Sequence, residues 1–177
     1  CIAAWGQSNE AGRGTNNQTV TVGGGNPTPI VYKAGVFSEL TDPVGTDGSA
    51  AGSTWPRIAQ QYSDAGVPVC IGNVAVGGTL LAVWQPATAN YIKITDFADA
   101  MGGLEFSTCV IGEQDSFAGT SQATIETEMG AIIDALFAAY GTNNFIADIP
   151  FGDNGLGWTD TTVRAAYDNV ISSNSHA

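Results

Sequence analysis

Residues 1–4, 67–74, 106–111 and 144–149 form short, mainly apolar runs, and between them lie stretches whose apolar positions recur every three or four residues. A first amphipathic stretch opens at Ser53-Thr54-Trp55-Pro56, where a capping hydroxyl and an early proline favour helix initiation; Trp55, Ile58, Ala59 and Tyr62 share its apolar face and Gly66 ends it. A second covers 89–101. The third, 121–140, is the strongest: Ile125, Met129, Ile132, Ile133, Leu136, Phe137 and Tyr140 lie on one face, and Gly141 is a stop signal. A last helix is expected over 159–171, carrying Val163, Ala166, Tyr167 and Val170. Four strands alternating with helices predict an α/β fold, a parallel sheet with helices on both faces. Residues 15–53 interrupt the pattern. They are rich in Gly, Asn, Thr and Pro, with strand-like pieces only at 19–22 and 30–32, and a long excursion of this kind suits either a substrate-site wall or a surface crossover.

Composition narrows the class. A chain of 177 residues, 44% hydrophobic and 12% charged, is sized for one domain over 1–177 and excludes a disordered or coiled-coil protein. No apolar run is long enough for a membrane span. Five basic against seventeen acidic residues give a net charge of −12, which repels phosphate backbones, so nucleic acid is not an expected partner. Cys1, Cys70 and Cys109 stand in apolar stretches without metal-ligand spacing and are read as buried thiols; no metal or other cofactor is expected. Few lysines with much Gly, Asn and Thr suit an extracellular or virion protein. Because Cys1 already lies in a core strand, the sequence reads as part of a longer polypeptide.

The candidate chemistry sits where strands end. Trp5-Gly6-Gln7-Ser8-Asn9 follows the first run, Ala75-Val76-Gly77-Gly78-Thr79 the second, and Gly112-Glu113-Gln114-Asp115, read as a turn, the third. In a parallel sheet all three exits share one edge, the edge at which open α/β folds bind ligands. A glycine-bracketed serine can project its hydroxyl from that edge, although the same spacing also suits a plain turn. Together a hydroxyl (Ser8), a backbone N–H free of side chain (Gly78) and an amide (Gln114) form a kit for acyl transfer, in which donors must face the developing oxyanion.

These three ordered blocks, with Ala11-Gly12-Arg13-Gly14, Trp55-Pro56, Trp84 and the Val163-Arg164 region, resemble the SGNH hydrolases, and within them the sialate O-acetylesterase and acetylxylan esterase-like branch. The resemblance implies a flavodoxin-like three-layer α/β/α sandwich and a metal-free serine esterase acting on acetylated carbohydrate. It makes Ser8 the nucleophile and, through its N–H, an oxyanion donor, with Gly78 the second donor; Gln114 stands where many relatives have asparagine. The polar residues Gln7, Asn9 and Glu113 are the expected substrate contacts, and Asp115 an architectural hydrogen-bond acceptor.

The chain departs from the family pattern twice. Ile111 replaces the glutamine that commonly precedes the third block, which leaves Gln114 to fill that donor role. The Asp-x-x-His block expected after a further strand is not found. His176, the single histidine, follows Ser173 in place of aspartate and is read as a surface residue before a missing last strand. The expectation is therefore a carbohydrate O-acetylesterase domain whose general base lies outside these residues. The alternative is a non-catalytic glycan-binding or structural module of a larger surface or virion assembly, and a lipid or thioester substrate ranks behind both.

Overall fold

The computed structural model describes residues 1–6, 19–33, 35–42, 44–45, 52–146 and 161–177. Six strands form one sheet: β1 (Ile2–Gly6), β2 (Ile30–Lys33), β3 (Val36–Glu39), β4 (Cys70–Asn73), β5 (Phe106–Val110) and β6 (Asn143–Ile146), in the order β3-β2-β4-β1-β5-β6. β3 is antiparallel to β2, and every other pairing is parallel. After β1 the chain goes out to β2 and β3 at one edge, returns to insert β4 beside β1, then crosses β1 to lay down β5 and β6 on the other side. That reversal is the topological switch of doubly wound folds, and it opens a crevice at the carboxyl ends of β1 and β5.

Five helices complete the described fold: α1 (Trp55–Asp64), α2 (Ala89–Met101), α3 (Glu113–Ala118), α4 (Gln122–Tyr140) and α5 (Thr161–Ser173). All five residues of β1 are buried, as a central parallel strand covered on both faces must be. Alternation along β1 splits the core in two. Ala3 and Trp5 join the larger cluster, to which α2, α4 and α5 contribute Phe97, Ile132 and Tyr167, whereas Ile2 and Ala4 join a smaller one with Trp55 and Ala59 of α1. Helices thus flank the sheet on both faces, the three-layer α/β/α arrangement the periodicity predicts.

The helix ends follow the local chemistry of the sequence. The Ser121 hydroxyl accepts the Thr124 N–H at 3.2 Å at the start of α4, and Gly141 closes that helix at φ +65°. Thr88 caps α2 in the same way. For α1 the capping group is Ser53, which accepts the Trp55 N–H at 3.3 Å and donates to Asp42 at 2.8 Å. Thr54 makes no side-chain cap bond.

Three elements depart from the expected pattern. Gly112–Asp115 is no simple turn: Gly112 leads straight into α3, six residues closed by Gly119 at φ +72°. A helix this short completes too little of a repeat to show periodicity. Within 15–53, the strand-like piece at 30–32 is the first arm of a hairpin whose second arm, β3, is exposed throughout and so lacks hydrophobic alternation. The piece at 19–22 contributes only a bridge from Thr19 to Thr41. This part of the excursion extends the sheet at the edge away from β1; residues 15–18, 34, 43 and 46–51 lie outside the described residues. Cys70 and Cys109 are buried thiols, the pKa of the former pushed up to about 11 by burial, while Cys1 is partly exposed. Among the described residues no helix is long and apolar enough to cross a membrane.

Candidate active site

β1 delivers the chain to the crevice at Gly6. Its φ is +125°, and a Cβ built there would stand 2.3 Å from the Val110 carbonyl oxygen on β5, so only glycine fits. Ser8, with Gln7 and Asn9, lies outside the described residues. The loop after β4 continues along β1: the Val74 N–H bonds to the Ala4 carbonyl and the Val76 N–H to the Gly6 carbonyl, each at 2.8 Å. Asn73, fully buried, starts this turn by accepting the Ala75 N–H at 3.2 Å. Gly78 follows in the left-handed region at φ +71°, exposed, with no atom of the described residues within 4 Å of where a Cβ would stand.

Two tryptophans brace this loop. The Thr79 hydroxyl donates to the Val76 carbonyl at 2.8 Å and accepts the Trp84 indole N–H at 3.0 Å. Trp84, in a 3₁₀ turn at Leu81–Trp84, is fully buried against Trp5, ring centroids 5.6 Å apart. The residue before Gly6 thus supports the loop that carries Gly78.

The third block is fastened from both sides. Asp115 is 1% exposed; its carboxylate accepts the Leu81 N–H at 3.1 Å and the Thr120 hydroxyl at 3.2 Å. The architectural role assigned to Asp115 is the one observed: it ties the Gly78 loop to α3. Behind the block, the Tyr167 hydroxyl of α5 donates to the Ile111 carbonyl at 2.6 Å, and Tyr167 and Val163 fill the space beside Gly112. Glu113 and Gln114 are half-buried at the start of α3. Ile111 is fully buried in the larger core, so its side chain offers no donor to the crevice, and Gln114 is the one side-chain amide of this block.

Sequence reasoning missed Asn73, Tyr167 and Glu128. Tyr167 was legible only as part of an apolar helix face. One oxygen of Glu128 is buried with no hydrogen-bond partner among the described residues. Burial first, and the Asp115 charge second, push the Glu128 carboxyl above its ordinary range. Burial likewise raises Asp115, with the Leu81 and Thr120 hydrogen bonds opposing it. A carboxyl raised by folding contributes stability below its unfolded pKa and loses it as pH rises through the folded one. Asp115→Asn keeps an acceptor for Leu81 and gives Thr120 a donor. Thermal unfolding from pH 7 down to pH 4.5 should therefore show a smaller gain in Tm for this variant than for the parent, and identical slopes would refute the charge assignment.

His176 stands elsewhere. Its carbonyl accepts the Asn144 N–H at 2.8 Å, and its ring, half-buried, stacks on Phe137 with centroids 3.4 Å apart. Asn144 lies opposite Ser107, three residues before the Val110 that faces Gly6. Three residues of strand span about 10 Å, so the His176 backbone joins the sheet well towards its amino edge, away from the crevice. It is a packed residue more than a surface one.

No protein-family model matches the chain, and no curated protein matches it. Among solved structures, a protein of Arabidopsis thaliana superposes with a TM-score of 0.74 at 19% identity, over 96% of this chain and 80% of that one. A carbohydrate acetylesterase from Xanthomonas citri superposes with a TM-score of 0.66 at 12% identity, over 97% of this chain. This chain spans about half of that enzyme, 47% of its length. At these identities the likeness is one of fold, and the fold it shows is the flavodoxin-like α/β/α sandwich.

Proposed function

We propose that this domain is a serine esterase of the SGNH type that removes acetyl groups from carbohydrate. The observation that carries the reading is the fastening of three loops at one sheet edge: Gly6 to Val76 and Leu81 to Asp115 bind the exit of β1, the Gly78 loop and the Gln114 helix together. Only Gln7 stands between Gly6 and Ser8, and two extended steps reach at most about 7 Å, which supports assigning the serine to this edge. The name of the Xanthomonas citri neighbour supports the substrate class.

In this mechanism the Ser8 hydroxyl attacks the acetyl carbonyl carbon while its proton passes to a general base. The oxyanion is held by the N–H groups of Ser8 and Gly78 and by the Gln114 amide. The sugar oxygen leaves with the proton, and water then releases acetate from the acetyl-serine. Gln7, Asn9 and Glu113 contact the sugar hydroxyls. His176, which packs on Phe137 towards the amino edge of the sheet, is not assigned the role of that base. Gln114→Ala should lower kcat on a sugar acetate by about 100-fold with a smaller change in KM, the signature of a donor that acts in the transition state. An unchanged kcat would remove Gln114 from the mechanism.

One observation favours a second reading. The single histidine of these 177 residues packs on Phe137 near the amino edge, which suits a non-catalytic glycan-binding module of a surface or virion assembly. Glycan binding without acetate release would establish it, and turnover by the protein would end it.

A further inference from the structure

We infer that Cys1 and Cys70 are a disulfide-forming pair, a reversible oxidation site at the amino edge of the sheet that is independent of the esterase reading. β1 and β4 run parallel with Ile2 opposite Ile71, so one step earlier Cys1 stands opposite Cys70. Both backbones are held there: the Cys1 carbonyl accepts the Glu105 N–H at 2.9 Å, just before β5, and Cys70 is paired with Ile30 of β2. The side chains share a face. Cys70 belongs to the larger core cluster and Cys1 packs against it, whereas their neighbours Ile2 and Ile71 belong to the smaller cluster on the other face. Neighbouring strands lie about 4.8 Å apart, inside the range of about 4.4–6.8 Å that a disulfide allows between Cα atoms.

The two thiols play different parts. Cys1 is partly exposed and borders a cavity of about 430 Å³ at this edge, with Val67, Val69 and Glu105, so a small oxidant reaches it first. Cys70 is 4% exposed; burial raises its pKa to about 11, with the amino group of Cys1 opposing the rise, and it is therefore the resolving thiol. With a small disulfide such as oxidised glutathione as the oxidant, the Cys1 thiolate attacks one sulphur and expels the other as a thiolate. Cys70 then gives up its proton and its 3.8 Å contact with Met101 Sδ, attacks the Cys1 sulphur and expels the second thiol. Two cysteine thiols are oxidised to one disulfide, and the oxidant is reduced to two thiols. Cys109 takes no part, because it lies opposite Trp5, four residues along β1 and about 13 Å from Cys1. The bond pins together the amino ends of β1 and β4, the strands that lead to Gly6 and to the Gly78 loop.

The test incubates the folded protein with oxidised glutathione, quenches with acid, alkylates the remaining thiols after unfolding and maps the peptides by mass spectrometry. The expected product is a peptide pair joined through Cys1 and Cys70 with Cys109 alkylated. Its Tm should exceed that of the reduced protein by about 4–16 °C, and dithiothreitol should reverse the gain. In Cys1→Ala, Cys70 should remain open to alkylation after unfolding, and Tm should not respond to the oxidant. Glutathione retained on Cys1 with Cys70 still a thiol, a link that includes Cys109, no oxidation of either residue, or a link that leaves Tm unchanged or lower each overturns the pairing.

Discussion

Replacing Ser8 by alanine should abolish hydrolysis of sugar acetates, with a loss in kcat of about 10⁴–10⁶-fold and a fold indistinguishable from the parent. The size follows from the mechanism. Without the hydroxyl no acetyl-enzyme forms, and only the background attack of water on a carbonyl polarised by Gly78 and Gln114 remains. Because those donors remain, the variant should still bind the sugar ester. Alanine leaves the Ser8 backbone N–H in place, so the loss isolates nucleophilic attack from oxyanion stabilisation. The measurement is acetate release by parent and variant at matched concentration, with circular dichroism and thermal unfolding to show that the fold is kept. A residual rate within tenfold of the parent would remove Ser8 from the chemistry.

The second large effect is on stability. Gly6→Ala places a Cβ 2.3 Å from a backbone carbonyl oxygen of the neighbouring strand, at φ +125°, where side chains are already strained. The obstacle is main chain at the centre of the sheet, so no side chain can rotate out of the way. Overpacking and a strained backbone each cost about 1–3 kcal/mol, and here they combine to about 2–6 kcal/mol. For a domain of this size that is a fall in Tm of about 4–24 °C. Relief requires β1 to move away from β5, which would carry Val76 and the Gly78 loop with it, because Val76 is bonded to Gly6. Activity should therefore fall further than the folded fraction does. A Tm within 2 °C of the parent, by scanning calorimetry, would show that the sheet adapts at this point.

The sequence carried the sheet and the long helices because their signals are repetitive. α4 shows more than five turns of apolar recurrence with a serine before it and a glycine after it, and both caps form. α2 runs over 89–101, the range expected. What escaped was short or exposed: the all-exposed β3, the single 3₁₀ turn at Leu81–Trp84 and the six-residue α3 offer too few positions for any period to register. At the site, residue type was more informative than spacing. An aspartate after a glycine turn reads as an acceptor wherever it lies, and Asp115 is one, but its partner Leu81 is 34 residues away and only the fold pairs them. Tyr167 is the same lesson in reverse. It reads as an apolar helix position, and its hydroxyl finds the Ile111 carbonyl 56 residues earlier. The departure at Ile111 was visible in the sequence, whereas its consequence, a side chain sunk in the core, required the packing.

The central claim is that Ser8 is an activated nucleophile at the carboxyl edge of the sheet, and covalent capture tests it most directly. The protein would be treated with a fluorophosphonate, which phosphonylates an activated serine with loss of fluoride, then digested and mapped by mass spectrometry. The account predicts one adduct, on Ser8, formed more slowly when Gln114 is alanine because the phosphonyl oxygen loses a donor. No adduct, or adducts spread over surface serines with Ser8 unmodified, would contradict it.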